Sequence, residues 1–86
     1  MKKLDSSLFE SIVKEAAANS PRILGVVITG FEILATYKSN SGRIKQRSHL
    51  IFDESGNFKV GYGIPSANAP KFLVDRILEI IKEKTG

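Results

Sequence analysis

The fold is decided by residues 31–62, which read FEILATYKSNSGRIKQRSHLIFDESGNFKVGY. Apolar and polar residues alternate along this stretch, as they do in a β-strand with one buried and one solvated face. Two turn sequences interrupt the alternation, Ser39-Asn40-Ser41-Gly42 and Glu54-Ser55-Gly56. Both have the composition of hairpin turns. The stretch therefore predicts a three-stranded antiparallel meander.

The two turns also predict which residues face each other across the meander. A two-residue tip in the first hairpin pairs Tyr37 with Ile44, and a three-residue loop in the second pairs Leu50 with Val60. Both registers put the large apolar residues on one face of the sheet. These residues are Phe31, Ile33, Ala35, Tyr37, Ile44, Leu50, Phe52, Phe58, Val60 and Tyr62.

A helix is predicted on each side of the meander. Apolar residues recur at helical spacing over residues 8–17, behind a Ser7-x-x-Glu10 capping pattern, and Pro21 ends this helix. A second apolar stripe with helical spacing covers residues 73–81. The chain is thus expected to form a single small α+β domain over residues 1–86, with the order α-β-β-β-α and both terminal helices on one face of the sheet.

The apolar segment from Ile23 to Ile28 does not alternate, and two interpretations of it are open. The favoured one joins it to the first meander strand as a single long strand bent at Gly30. The alternative is a fourth short strand that reverses at Thr29 and Gly30. In the favoured interpretation Ile23 to Ile28 has no ladder partner, and such an apolar edge is a template for another chain. The sequence therefore predicts a homodimer through this edge, unless the segment folds over the core instead.

Basic side chains are sorted onto the face opposite the apolar one. They are Lys38, Arg43, Lys45, Arg47, His49 and Lys59. Lys38 and Arg43 are direct neighbours in the predicted register, and like charges so placed cost stability unless solvent or a bound anion relieves them. With a net charge of +4, this face predicts a surface for nucleic acid with little sequence specificity. An acidic protein is the alternative partner, with Leu34 and Ile51 as apolar anchors. A third interpretation is an ordinary solvated face.

The residue types indicate binding rather than catalysis. The chain has no cysteine and a single histidine, which is too few ligands for a metal site. His49 and Glu32 form at most a cross-strand pair without a nucleophile beside it, so we expect no catalytic residues and no enzyme activity. Gly61 and Gly63 lack the spacing of a nucleotide-binding loop, so no cofactor is expected. No apolar run is long enough to cross a bilayer, and we expect a cytoplasmic protein without a membrane partner.

The order α-β-β-β-α resembles that of the double-stranded-RNA-binding domain. In that family, glycines precede a lysine-rich helix start that contacts phosphates. Here Gly61 and Gly63 precede residues 66–71, in which Lys71 is the single cation. The resemblance implies a phosphate contact at Lys71. The family's lysine pair, and the histidine of its first hairpin loop, are not found in this sequence.

Overall fold

The computed structural model describes residues 4–39, 41–64 and 70–85, with residues 62–64 described as backbone only. Its elements are helix α1 (Ser6–Ala18), strands β1 (Ile23–Thr29), β2 (Glu32–Lys38), β3 (Lys45–Phe52) and β4 (Phe58–Ile64), and helix α2 (Lys71–Thr85). The strands form one antiparallel sheet in the order β1-β2-β3-β4. The predicted α+β class is confirmed, whereas the predicted number of three strands is wrong.

The fourth strand arises from a tight reversal at Gly30. Thr29 pairs with Glu32, so Gly30 and Phe31 form a two-residue turn. Gly30 has φ +61°, a conformation that glycine adopts without steric cost and that a type II′ hairpin requires at this position. The single bent strand is therefore wrong, and the alternative of a separate strand is confirmed. The topological resemblance to the double-stranded-RNA-binding domain, which rested on three strands, does not hold either.

The homodimer was predicted because Ile23 to Ile28 had no partner strand, and the structure gives this segment one. Residues from Ile23 to Thr29 pair with β2 from Glu32 to Tyr37, so the segment does have a ladder partner. In the sheet order β1 is nevertheless an edge strand. The backbone N–H and C=O groups on its outer side can therefore still pair with another chain.

Both helices cover the same face of the sheet. Their buried residues and those of the strands form a single cluster that includes Phe9, Ile12, Val13 and Ala16 of α1, Leu73, Val74, Ile77, Ile80 and Ile81 of α2, and Ile33, Ala35, Tyr37, Leu50 and Phe52 of the sheet. The ring of Phe9 lies between Phe31 and Phe52, with centroid distances of 5.3 and 5.2 Å, in the tilted arrangement that aromatic pairs favour. The predicted placement of both helices on one face is confirmed.

Helix α1 begins with a different cap from the predicted one. Asp5 is the N-cap, and its Oδ1 accepts a hydrogen bond from the backbone N–H of Leu8 at 2.8 Å. An aspartate caps a helix start as well as a serine does, because its carboxylate satisfies one of the free backbone donors. The helix therefore starts at Ser6, slightly before the predicted Ser7-x-x-Glu10 cap.

The first hairpin has a longer connection than predicted. The Ser39 N–H donates to the Ile44 carbonyl at 2.8 Å, and β2 then pairs Lys38 with Lys45 rather than with Arg43. The register differs from the predicted one by two residues. An even shift keeps the alternation of the faces. The predicted faces of β2 and β3 therefore persist, but Ile44 leaves the apolar face and is 55% exposed in the connection.

A β-bulge in β4 shifts the second hairpin by one residue. Ile51 pairs with Val60, and Leu50 pairs with Gly61 instead of the predicted Val60, which leaves Lys59 as the extra residue. A shift by one residue exchanges the two faces of a strand. Val60 therefore lies beside Ile51, on the face without helices, and not in the core as predicted.

Candidate nucleic-acid interface

The face of the sheet opposite the helices is here called the open face. It consists of every second residue of the strands, because side chains alternate between the two sides of a sheet. Its members with described side chains are Val27 and Thr29 of β1, Glu32, Leu34, Thr36 and Lys38 of β2, Lys45, Arg47, His49 and Ile51 of β3, and Val60 of β4.

Cations concentrate at one end of the open face, where the first hairpin begins. Lys38 and Lys45 are directly opposite each other, and Arg47 follows two residues along β3. The hydrogen bond from Ser39 to Ile44 makes those two residues a hydrogen-bonded pair. The adjacent lysines are then a non-hydrogen-bonded pair, in which Cα atoms are about 4.5 Å apart and side chains lie closest.

Arg43 adds a fourth cation at the same end, from the connection that precedes β3. Its backbone N–H donates to Ser41 Oγ at 3.3 Å, and it lies in the turn two residues before β3 begins at Lys45. We call Lys38, Arg43, Lys45 and Arg47 the basic end. All four are exposed.

No acidic residue in 4–39, 41–64 or 70–85 forms a salt bridge with any member of the basic end. The helices differ in this respect, since Lys14, Lys71 and Arg76 each pair with a carboxylate about one turn away. Lys71 Nζ donates to Asp75 Oδ2 at 2.8 Å, and this hydrogen bond raises the pKa of Lys71. The basic end is therefore an exposed group of like charges, which an anion would neutralise.

Arg22 supports the basic end from the side of the helices. Its Nε and Nη2 donate to the carbonyl of Lys38 at 3.1 and 3.0 Å, and its guanidinium carbon lies 4.1 Å from the ring centroid of Phe72 on α2. A guanidinium over an aromatic face is attracted by the ring quadrupole. Sequence reasoning missed Arg22, because an arginine after a proline carries no periodic signal. It holds the end of β2 in place and adds positive charge near it.

Two apolar cross-strand pairs lie in the middle of the open face. Val27 pairs with Leu34, and Ile51 pairs with Val60; we call these four residues the apolar strip. Val27 is 64% exposed and Leu34 38% exposed. Contiguous exposed apolar residues mark a contact surface more often than isolated ones do. The predicted anchors Leu34 and Ile51 thus fall one in each pair, and the structure adds Val27 and Val60 as their partners.

Glu32 and His49 form a polar pair that crosses the apolar strip. A hydrogen bond of 2.8 Å joins Glu32 Oε1 and His49 Nε2. Leu34 is directly opposite His49, so the pair is a diagonal contact and not the predicted direct one. The neighbouring Ser48 is fully buried, and its hydroxyl is hydrogen-bonded to that of Tyr37 at 2.9 Å. Ser48 therefore belongs to the core and not to the open face.

Lys59, the sixth predicted basic residue, lies away from the others. It sits at the bulge in β4, near Asp53 at the far end of the sheet. The pKa of Asp53 is lowered chiefly by a hydrogen bond from the backbone N–H of Asn57, with a smaller contribution from the charge of Lys59. The structure thus brings together four of the six predicted basic residues, with His49 in the middle of the face and Lys59 outside the group.

In the part of the chain that the structure describes, no group of three or more histidine, aspartate or glutamate residues could hold a metal ion. Neither described helix combines the length and hydropathy needed to span a bilayer. No family model matches the sequence, and no curated protein and no solved structure is detectably similar to it.

Proposed function

We propose that this protein is a non-enzymatic binding module that holds nucleic acid by its phosphates, with little sequence specificity. The observation that carries the proposal is the basic end, in which two lysines are directly opposite each other and no cation has an acidic partner among the described residues. Like charges in directly opposite positions destabilise a sheet. A phosphate bound between them turns this repulsion into attraction.

The expected lack of sequence specificity follows from the kind of contact. Lysine and arginine side chains on phosphates fix the position of a protein on nucleic acid but do not read the bases. Sequence is read by side chains that reach base edges in a groove, usually from a helix or a β-ribbon. Both described helices lie on the opposite side of the sheet from the basic end, so they do not supply such a reading element to this site.

The salt dependence of binding tests the proposal. If all four cations of the basic end contact phosphates, the logarithm of affinity should fall with the logarithm of salt concentration at a slope of about −3 to −4, since each contact releases about 0.7–0.9 of a counterion. Lys45→Glu combined with Arg47→Glu should abolish binding. Lys82→Glu, a charge reversal at an exposed position on α2, is the matched control and should barely change it. Failure to retain any single- or double-stranded nucleic acid at low salt would discard the proposal.

A protein partner is the second candidate, and the apolar strip favours it. Exposed aliphatic residues surrounded by charges are typical of an interface with an apolar core and a polar rim. In this case Leu34→Asp or Ile51→Asp would be the damaging change, because apolar anchors carry interface energy and rim charges carry little. Pull-down from the source cell should then recover an acidic protein with the wild type and lose it with Leu34→Asp. Equal recovery with both would count against this candidate.

The outer edge of β1 supports a homodimer as a particular form of protein contact. None of the residues from Ile23 to Thr29 is charged, whereas natural edge strands commonly carry a lysine or a similar device against pairing. Lys59 at the bulge of β4 is such a device on the other edge. Val27→Lys should therefore convert a dimer to a monomer in sedimentation experiments. A wild-type protein that is monomeric at micromolar concentration would rule the dimer out.

A further inference from the structure

We propose that the nucleic acid held on the open face is single-stranded, with its phosphates on the basic end and its unpaired bases on the apolar strip. This inference rests on the proposed function and names the substrate class of the same site. The open face is divided into a charged part and an apolar part. A surface that bound phosphates alone would have no use for the apolar part.

The charged part is compact. The row of Lys38 and Lys45 is four residues along the strands from the row of Leu34 and His49, a distance of about 13 Å. Beyond Arg47, the described open-face residues of β2 and β3 include no lysine or arginine. Two residues beyond the row of Leu34 and His49, Glu32 introduces a negative charge opposite Ile51. Only a few adjacent phosphates can therefore be neutralised, and a backbone that continued along the strands would approach a carboxylate.

A duplex does not match this arrangement. The four strands span about 14 Å at the level of the backbone, three times the strand spacing, which is wider than the major groove of about 12 Å. The sheet therefore meets a duplex on its phosphate ridges and not inside a groove. Phosphates would then lie over the apolar strip, where no described cation could neutralise them and aliphatic groups would displace their water.

A single strand does match it, because its bases are free to turn away from the phosphates. Leu34 is directly opposite His49. Val27 lies beside Leu34 on β1, and Ile51 follows His49 two residues along β3, opposite Glu32. Flat base faces can cover such residues, and an imidazole offers a ring to stack on. On β4 the register position next to His49 belongs to Tyr62. Stacking of this kind tolerates any base, in accord with little sequence specificity.

The experiment compares three probes of equal length by fluorescence anisotropy at low salt: a mixed-sequence DNA single strand, the same strand without bases, and a blunt duplex. The single strand should bind roughly tenfold more tightly than the abasic strand, given the usual energy of stacking one base. It should also bind more tightly than the duplex. Leu34→Ser should reduce the affinity for the normal strand toward that for the abasic strand and leave the abasic strand unaffected.

Leu24→Ser is the matched control, because Leu24 is a leucine of similar exposure, 46% against 38%, that lies outside the apolar strip. If Leu34→Ser does not fold, Val27→Ser tests the same strip at a residue that is 64% exposed. Equal affinity for the normal and abasic strands, or tighter binding of the duplex, would overturn the single-strand inference and leave the proposed function standing. No binding of any of the three probes would overturn both and leave an acidic protein as the occupant to seek.

Discussion

Replacing Lys45 by glutamate should stabilise the protein and weaken its binding to nucleic acid at the same time. Lys45 is directly opposite Lys38, and both side chains are exposed without an acidic partner in the described part of the chain. Glutamate at this position turns a repulsive cross-strand pair into an attractive one. If the basic end binds phosphates, Lys45→Glu should therefore raise the stability of the fold and lower its affinity for nucleic acid.

The size of the stability gain follows from the geometry of the pair. Directly opposite charges contribute about 0.2–1 kcal/mol, favourable for unlike charges and unfavourable for like ones. Reversing the sign therefore changes the free energy of unfolding by up to roughly twice that amount, but solvent screening of an exposed pair brings it to about 0.5–1 kcal/mol. For a domain of this size the midpoint of thermal unfolding should rise by roughly 2–8 °C. The slope of affinity against salt should become shallower by about 0.7 or more, because one phosphate contact is lost.

Thermal unfolding at low salt and at about 1 M salt measures the first effect, and anisotropy with a labelled oligonucleotide measures the second. The gain in stability should shrink at high salt, where the Debye length is only about 3 Å. Lys38→Glu should give a similar gain, whereas the double variant Lys38→Glu with Lys45→Glu should lose it, because the pair is then again of like charge. A gain that persists in the double variant, or a Lys45→Glu protein less stable than the wild type, would refute this reasoning.

The faces of β2 and β3 were predictable from the sequence, but their pairing was not. Alternation over residues 32–38 and 45–52 leaves one apolar set on each strand, and burial of that set fixes which side faces the helices. A turn can lengthen by two residues without changing which side chains face the helices. The sequence therefore placed Lys38, Lys45 and Arg47 on a common face correctly and still paired Lys38 with Arg43. The hydrogen bonds from Ser39 to Ile44 and from Phe52 to Phe31 decide between the two registers.

The prediction was wrong for β4 and β1 for a different reason. In each strand one residue, the bulged Lys59 or the positive-φ Gly30, changes the path of the chain. In β4 the alternation from Phe58 predicts a buried Val60, and the bulge at Lys59 reverses it. The signal was the pair of glycines at alternate positions, Gly61 and Gly63, which by register fall on the side of the helices. In β1 the signal was Gly30, whose positive φ permits a reversal as readily as a bend. Propensity alone does not distinguish these outcomes, since tertiary pairing determines which one is realised.

The remaining predictions concern stability. Tyr37→Phe should lower the free energy of unfolding by about 1–2 kcal/mol, because it leaves the buried hydroxyl of Ser48 without its partner. In urea unfolding, the double variant with Ser48→Ala should lose less stability than the sum of the two single variants. Strict additivity would contradict this. Gly56→Ala should lower the free energy of unfolding by about 1–2 kcal/mol. Gly56 has φ +85°, and an added Cβ would lie 2.9 Å from a side-chain carbon of Ile81 on α2. An unchanged midpoint of urea unfolding would contradict this. The pKa of Asp53 lies below its ordinary value of 3.8, chiefly because the backbone N–H of Asn57 donates to the carboxylate. The unfolded chain therefore binds the proton more readily than the folded one, so the contribution of this carboxylate is fully present above the ordinary pKa and is lost as pH falls through the lower folded value. Asp53→Asn keeps a side-chain oxygen for the turn but cannot titrate, so the stability difference between wild type and variant should shrink on acidification below about pH 4. Carboxyl NMR should give a midpoint below 3.8 for Asp53, and a midpoint above that value would show that its hydrogen bonds do not favour the charged form.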